Sequence, residues 1–168
     1  ADTVNEIGQQ AFLACSNLES VTIGTGLEKL GEGVFGGCNW YYNFPSGEAV
    51  YIGKILYTYK GTVSDEFTIK DGTVSIADNA FDGQKNMMSI TIPQSVKYIG
   101  QYAFRDCSSL KEVTLPENLL ELGSSAFKGS GLTSVVIPNS MTYLGNAFNN
   151  CTNLKSITIG NRVKTIDY

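Results

Sequence analysis

The 168-residue sequence predicts a solenoid, a stack of short rungs sharing one continuous core. Three observations carry that prediction. Phenylalanines fall at positions 12, 35, 81, 104, 127 and 148, with spacings of 23, 46, 23, 23 and 21, so the period is 23 with one doubled and one shortened interval. A fixed grammar surrounds each of them: Ile7-Gly8-Gln9-Gln10-Ala11-Phe12-x-x-Cys15-x-x-Leu18-x-x-Val21-x-Ile23 matches Ile99-Gly100-Gln101-Tyr102-Ala103-Phe104-x-x-Cys107-x-x-Leu110-x-x-Val113-x-Leu115. Within each unit the apolar spacing changes from three or four residues to two, so each unit holds a turn and a short strand.

Taken in order, Ala103, Phe104, Cys107 and Leu110 have the spacing of a single helical or 3₁₀ turn. Leu110, Val113 and Leu115 end in the alternation of a strand, and prolines at 93, 116 and 138 close it. Strands are expected near 20–23, 89–92, 112–115, 134–137 and 156–159, forming a parallel sheet. A second apolar pair follows in each unit, as in Leu27/Leu30, Val96/Ile99, Leu119/Leu122 and Met141/Leu144. One unit cannot enclose a core, but stacked units can, with each buried side chain contributing roughly 1.5–3 kcal/mol. The six repeat phenylalanines are therefore expected in one buried row.

The doubled interval keeps register and loses the grammar from Asn39 to about Asp65, an irregular rung. Glu48–Gly61 reads as a hairpin turning at Gly53-Lys54, with Gly supplying the positive φ of a tight turn. Seven of the 18 aromatics lie between Asn39 and Lys60. Trp40, Tyr41, Tyr42, Tyr51, Tyr57 and Tyr59 are the candidate binding residues, because aromatic side chains offer large contact area at low entropic cost. Filling the core of an atypical rung is the competing role. Three consecutive aromatics on one extended segment cannot all turn inward, so at least one is expected at the surface.

Composition excludes several function classes. There is no histidine, which removes Ser-His-Asp and Cys-His pairs and the HExxH zinc site. A net charge of −4, a pI near 4.8 and only two arginines, Arg105 and Arg162, do not suit a protein that tracks phosphates, so no nucleic-acid partner is expected. No apolar run reaches the roughly 18–20 residues that span a bilayer, so no membrane insertion is expected. Gly31-Glu32-Gly33-Val34-Phe35-Gly36 spells a dinucleotide fingerprint, but its residues fill repeat slots and no long helix follows. Ser108-Ser109-Leu110-Lys111 likewise matches Thr152-Asn153-Leu154-Lys155 in another unit. Cys15, Cys38, Cys107 and Cys151 each stand three residues after a repeat Phe, with no CxxC, and are expected as reduced, buried thiols and not as a metal site. The densest carboxylates, Asp65, Glu66, Asp71, Asp78 and Asp82, lack the calcium-loop pattern and read as solvated surface. No catalytic residues, metal or cofactor are expected.

The unit Ile-Gly-x-x-Ala-Phe-x-x-Cys-x-x-Leu-x-x-Val-x-Ile-Pro-x-x-Val-x-x-Ile-Gly resembles the BspA-type leucine-rich repeat, also called the Treponema pallidum type. The resemblance covers nearly the whole chain outside residues 39–65. It implies a right-handed leucine-rich-repeat solenoid of about seven rungs. It also implies a non-catalytic binding or adhesion module, extracellular or at the cell surface of bacteria or some protists, with a host protein or glycan as partner. A structural spacer holding another domain away from the cell surface is the alternative. The chain reads as one solenoid domain over 1–168 that begins and stops mid-unit, so flanking repeats or end-to-end self-association are expected.

Overall fold

The computed structural model describes residues 2–167. In chain order these form β1 (Glu6–Ile7), β2 (Lys29–Leu30), the short helix α1 (Asn39–Tyr42), β3 (Glu48–Ile52), β4 (Ile55–Lys60) and β5 (Glu66–Thr68). There follow β6 (Ser75–Ile76), β7 (Ser89–Thr91), β8 (Tyr98–Ile99), β9 (Glu121–Leu122), β10 (Ser134–Ile137), β11 (Tyr143–Leu144), β12 (Ser156–Ile159) and β13 (Thr165–Ile166). The architecture is the expected solenoid. Its longest ladder is not at the strands anticipated from Leu110-x-x-Val113-x-Leu115, however. It runs through the residue pair ending in Ile or Leu before the repeat Gly, in the order β3-β4-β6-β8-β9, with β4, β6, β8 and β9 parallel. Leu56, Ile76, Ile99 and Leu122 point inward from it, and Ser75, Tyr98 and Glu121 outward.

The anticipated row of strands survives in two parallel pairs, β5–β7 and β10–β12. Residues 20–23 and 112–115 are not strands. The first lacks a ladder partner because residues 43–46, one period on, leave α1 as an irregular turn through Pro45 and form no strand. At the second the ladder shrinks to its end, with the Thr133 N–H donating to the Lys111 carbonyl at 3.0 Å.

The segment around each Phe is not a helical or 3₁₀ turn. Positive φ recurs two residues before and two after the Phe: at Gln10 and Ala14, Gly33 and Gly37, Asn79 and Gly83, Tyr102 and Asp106, Ser125 and Gly129, and at Asn150. This left-handed alternation sends successive N–H groups in different directions. Those of Asn79, Phe81 and Gly83 donate along the stack to Gln101, Ala103 and Arg105, while those of Ala80, Asp82 and Gln84 close turns within the rung. A helix would direct every bond within its own rung. The local strain of roughly 1–2 kcal/mol at each non-glycine position is offset by a continuous hydrogen-bonded column. Close stacking also explains the repeat Gly: a Cβ on Gly123 would come within 2.5 Å of the Gln101 backbone nitrogen.

Phe81, Phe104 and Phe127 are buried and stack on one another at 5.3 and 4.9 Å between ring centroids. Phe35 is buried as well. The single buried row is broken in two respects. Phe12 is 41% exposed and Phe148 half-buried, because each is stacked on one face only, by Phe35 and Phe127 respectively. Between Phe35 and Phe81 the slot is taken by Tyr59, whose N–H donates to the Ala80 carbonyl as a repeat Phe would and whose ring lies 6.2 Å from Phe81.

Buried thiols hold for Cys38 and Cys107, which donate to the carbonyls of Phe12 and Phe81 at 3.0 and 3.2 Å. Cys151 is half-buried and donates to Phe127 at 3.0 Å. Cys15 is exposed, contrary to expectation, since among the described residues no preceding Phe carbonyl stands over it. All four are free.

Candidate binding cleft

The hairpin forms as anticipated, with β3 antiparallel to β4 and Gly53 at φ +58°. Its consequence reaches further. β4 takes over the Ile and Phe slots of the missing rung, and β3 then pairs with the edge that β2 would have used. Rungs one and two are thereby displaced from the ladder and lie across its outer side. Two buried clusters result, one built around Leu27, Leu30, Phe35, Ile55 and Tyr57, the other running from Leu56 to Ala147.

The six candidate aromatics divide accordingly. Trp40 is half-buried against Phe35 and Phe44, at 4.9 and 5.0 Å. The Tyr51 hydroxyl accepts the Lys70 N–H at 3.0 Å, and the Tyr59 hydroxyl donates to the Gly47 carbonyl at 2.9 Å. Tyr57 is buried, its hydroxyl accepts the Phe35 N–H, and burial pushes its ionisation above the ordinary value. These four complete the irregular rung. Tyr41 is half-buried and Tyr42 is 63% exposed. Both sit on α1 and not on an extended segment, and helical turning is what separates their directions. The helix end is held by the Lys60 ammonium, which donates to the carbonyls of Tyr41, Tyr42 and Phe44.

Between the displaced rungs and the ladder lies a cleft. Its walls are tied by polar contacts between residues far apart in sequence. Lys29 pairs with Glu121 and lies 4.4 Å from the Tyr98 ring centroid. Glu28 accepts from Lys97 and from the Tyr98 hydroxyl, both at 3.3 Å, and Glu32 accepts from Asn79 at 3.2 Å. Burial draws the Lys29 ammonium down, but the bond and charge of Glu121, with Tyr98 and Glu6 beyond, outweigh it and leave Lys29 raised. Among the described residues cavities remain along the cleft, two of which share Asp78. One, of about 160 Å³, is lined by Glu6, Lys29, Ser75, Asp78, Tyr98 and Glu121 among others; the second, about 260 Å³, joins Asp78 to Glu32, Tyr41 and Tyr57. The Asp78 carboxyl is raised chiefly by burial, against the bond from the Gln101 N–H at 2.7 Å, and further by the charges of Glu32 and Glu121.

Of the candidate aromatics, Tyr41 and Tyr57 line this cleft, and most of its lining lies outside the residues the sequence singles out. Asp78, expected from the sequence as solvated surface, is instead half-buried in the cleft wall. The overlooked signal is the position before the repeat Ile or Leu, which reads Glu6, Lys29, Ser75, Tyr98, Glu121, Tyr143 and Thr165 where the residue that follows is always Ile or Leu. Among the described residues no group of three or more acidic or thiol side chains is placed to hold a metal ion, and no helix is long and apolar enough to cross a membrane.

The profile of the BspA type leucine rich repeat region matches in six copies over residues 1–68 and 74–168. Among solved structures, a leucine-rich repeat protein of T. pallidum is 28% identical, with 98% of this chain and 66% of that one covered and a TM-score of 0.55. One from Eubacterium ventriosum is 18% identical, with 98% and 57% covered and a TM-score of 0.56. The chain thus spans less than two thirds of the length of either. No curated protein matches it. Repeat grammar, rung architecture and the profile match agree: the chain belongs to the BspA-type leucine-rich repeat family.

Proposed function

We propose that this chain is a non-catalytic binding module of a secreted or cell-surface protein, recognising a protein or glycan partner through the irregular rung and the cleft beside it. The observation that carries the reading is the placement of Tyr42. It is 63% exposed, on the one rung where repeat grammar is suspended, and its hydroxyl makes no hydrogen bond among the described residues. Large aromatics held this way are the usual anchors of interfaces. The family resemblance supports the surface location and a host partner.

The experiment exchanges Tyr42 for Ala and measures capture of host extracellular proteins and of an immobilised glycan panel. Unchanged melting with at least tenfold weaker capture of a protein or glycan is the expected result. Capture unaltered by the exchange would reject the Tyr42 surface, and no capture at all by the parent chain would favour the spacer role. Trp40→Ala is the contrasting variant: its packing on Phe35 and Phe44 makes a loss of stability the expected outcome.

A further inference from the structure

We propose that Cys15 and Cys38 form a reversible disulfide that staples the first rung of the stack to the second. The two thiols fill the same slot, three residues after a repeat Phe, on adjacent rungs, and both are free. They converge on one atom: the Phe12 carbonyl accepts the Cys15 N–H at 3.3 Å and the Cys38 thiol at 3.0 Å. Towards the other end of the stack Ser130 and Cys151 fill that slot on adjacent rungs, and the Phe127 carbonyl accepts the Ser130 N–H and the Cys151 thiol, each at 3.0 Å. There the side-chain termini, Ser130 Oγ and Cys151 Sγ, lie 3.3 Å apart. Cys15 puts a sulfur where Ser130 has its hydroxyl, and rotation about χ1 brings such a pair to the roughly 2.05 Å of an S–S bond. The backbones approach closely enough as well. A Cβ on Gly37 would stand 3.7 Å from that of Ala14, one residue before the slot, within the roughly 3.5–4.5 Å between the Cβ atoms of a disulfide.

The other two thiols have no such neighbour. Cys107 has Gln84 and Ser130 in the flanking slots, and it stands two rungs from Cys151, about 10 Å at strand spacing and beyond the roughly 7 Å between Cα atoms that a bridge tolerates. Cys15 is exposed and Cys38 buried, which sets the order of reaction. The Cys15 thiolate attacks a small-molecule disulfide such as oxidised glutathione, forming a mixed disulfide and releasing one glutathione thiolate. Cys38 then loses its proton to water, and its sulfur attacks Cys15 Sγ and expels the second glutathione thiolate into solvent. Two cysteine thiols are oxidised and one disulfide is reduced to two thiols. The bond acts where the stack is weakest. Residues 20–23 have no ladder partner and Phe12 is 41% exposed, so the first rung is held largely by β1 on β2 and by the N–H groups of Gln10, Phe12 and Ala14, which donate to Glu32, Val34 and Gly36. Closing the chain between Cys15 and Cys38 limits how far that rung can open. Glu6 of the same rung lines the smaller cavity, so the bond also fixes one wall of the cleft.

The test takes the intact chain, reduced and then equilibrated with oxidised and reduced glutathione in varied ratio, quenched by alkylation and mapped by peptide mass spectrometry. A cross-linked Cys15–Cys38 peptide, two hydrogens lighter than its dithiol, is expected, with Cys107 and Cys151 recovered as alkylated thiols. Hydrogen exchange of the Gln10, Phe12 and Ala14 amides should slow on the order of 100-fold on oxidation, the scale of a disulfide closing a loop of this length. Cys15→Ser reproduces the Ser130 arrangement, so it should keep the fold and abolish the redox effect. Cys38→Ser should halt oxidation at the mixed disulfide of Cys15 with glutathione. Persistence of that mixed disulfide in the parent chain, a cross-link that forms as readily in urea as in the native chain, or amide exchange that changes less than about threefold on oxidation would overturn the staple.

Discussion

The hydroxyl oxygen of Tyr57 accepts the backbone N–H of Phe35 at 3.2 Å. In regular rungs that N–H donates to a carbonyl of the following rung, as Phe104 does to Ala126 at 2.7 Å. Here the following rung is a hairpin strand, and a side chain replaces the missing carbonyl. Tyr57→Phe would leave a buried donor unsatisfied and should destabilise the chain by about 1–3 kcal/mol. Denaturant unfolding measures this, and a change of only a few tenths would show that the bond is dispensable.

The phenylalanine stack should weaken unevenly along its length. Phe104 is sandwiched between Phe81 and Phe127, and its truncation to Ala should cost about 3–5 kcal/mol. Phe12→Ala should cost far less, since that ring is 41% exposed and contacts one neighbouring ring of the row. Equal losses in thermal unfolding of the two variants would contradict the burial pattern.

Thiol reactivity should follow position in the stack. Burial pushes the Cys107 thiol up to about 12, so the thiolate that reacts is scarce near neutral pH. Cys15 is exposed and should label first with a thiol-specific reagent, while Cys107 and the buried Cys38 should label only on unfolding. Mass spectrometry of partially labelled native chain distinguishes the sites.

Asp78 makes a pH-dependent contribution whose sign follows from its environment. Its carboxyl is raised in the folded chain above the ordinary 3.8, so the folded state holds that proton more tightly and ionisation subtracts from stability as pH rises through the folded value. Asp78→Asn should therefore be more stable than the parent at neutral pH, and its advantage should shrink as pH falls toward 3.8. Urea titrations across that window check the trend; an advantage that grows on acidification would reverse the assignment.

Much of this was legible from residue spacing, because a solenoid repeats its contacts at the interval at which it repeats its sequence. The buried Phe35, Phe81, Phe104 and Phe127, the thiol slot three residues later and the turn at Gly53 all follow from a local pattern. The turn around each Phe was misread because left-handed residues such as Tyr102 and Ser125 have no compositional signature in a single unit. The cleft was invisible for a different reason. Lys29 and Glu121 are 92 residues apart, and the contact depends on β3 capturing the β4 edge and turning rungs one and two across the ladder. Periodicity determined which side chains enter the core and that an irregular rung keeps the register. Only the tertiary structure decided which aromatics that rung consumes and which polar side chains come to face one another, because both depend on competition for one sheet edge between segments the repeat does not relate.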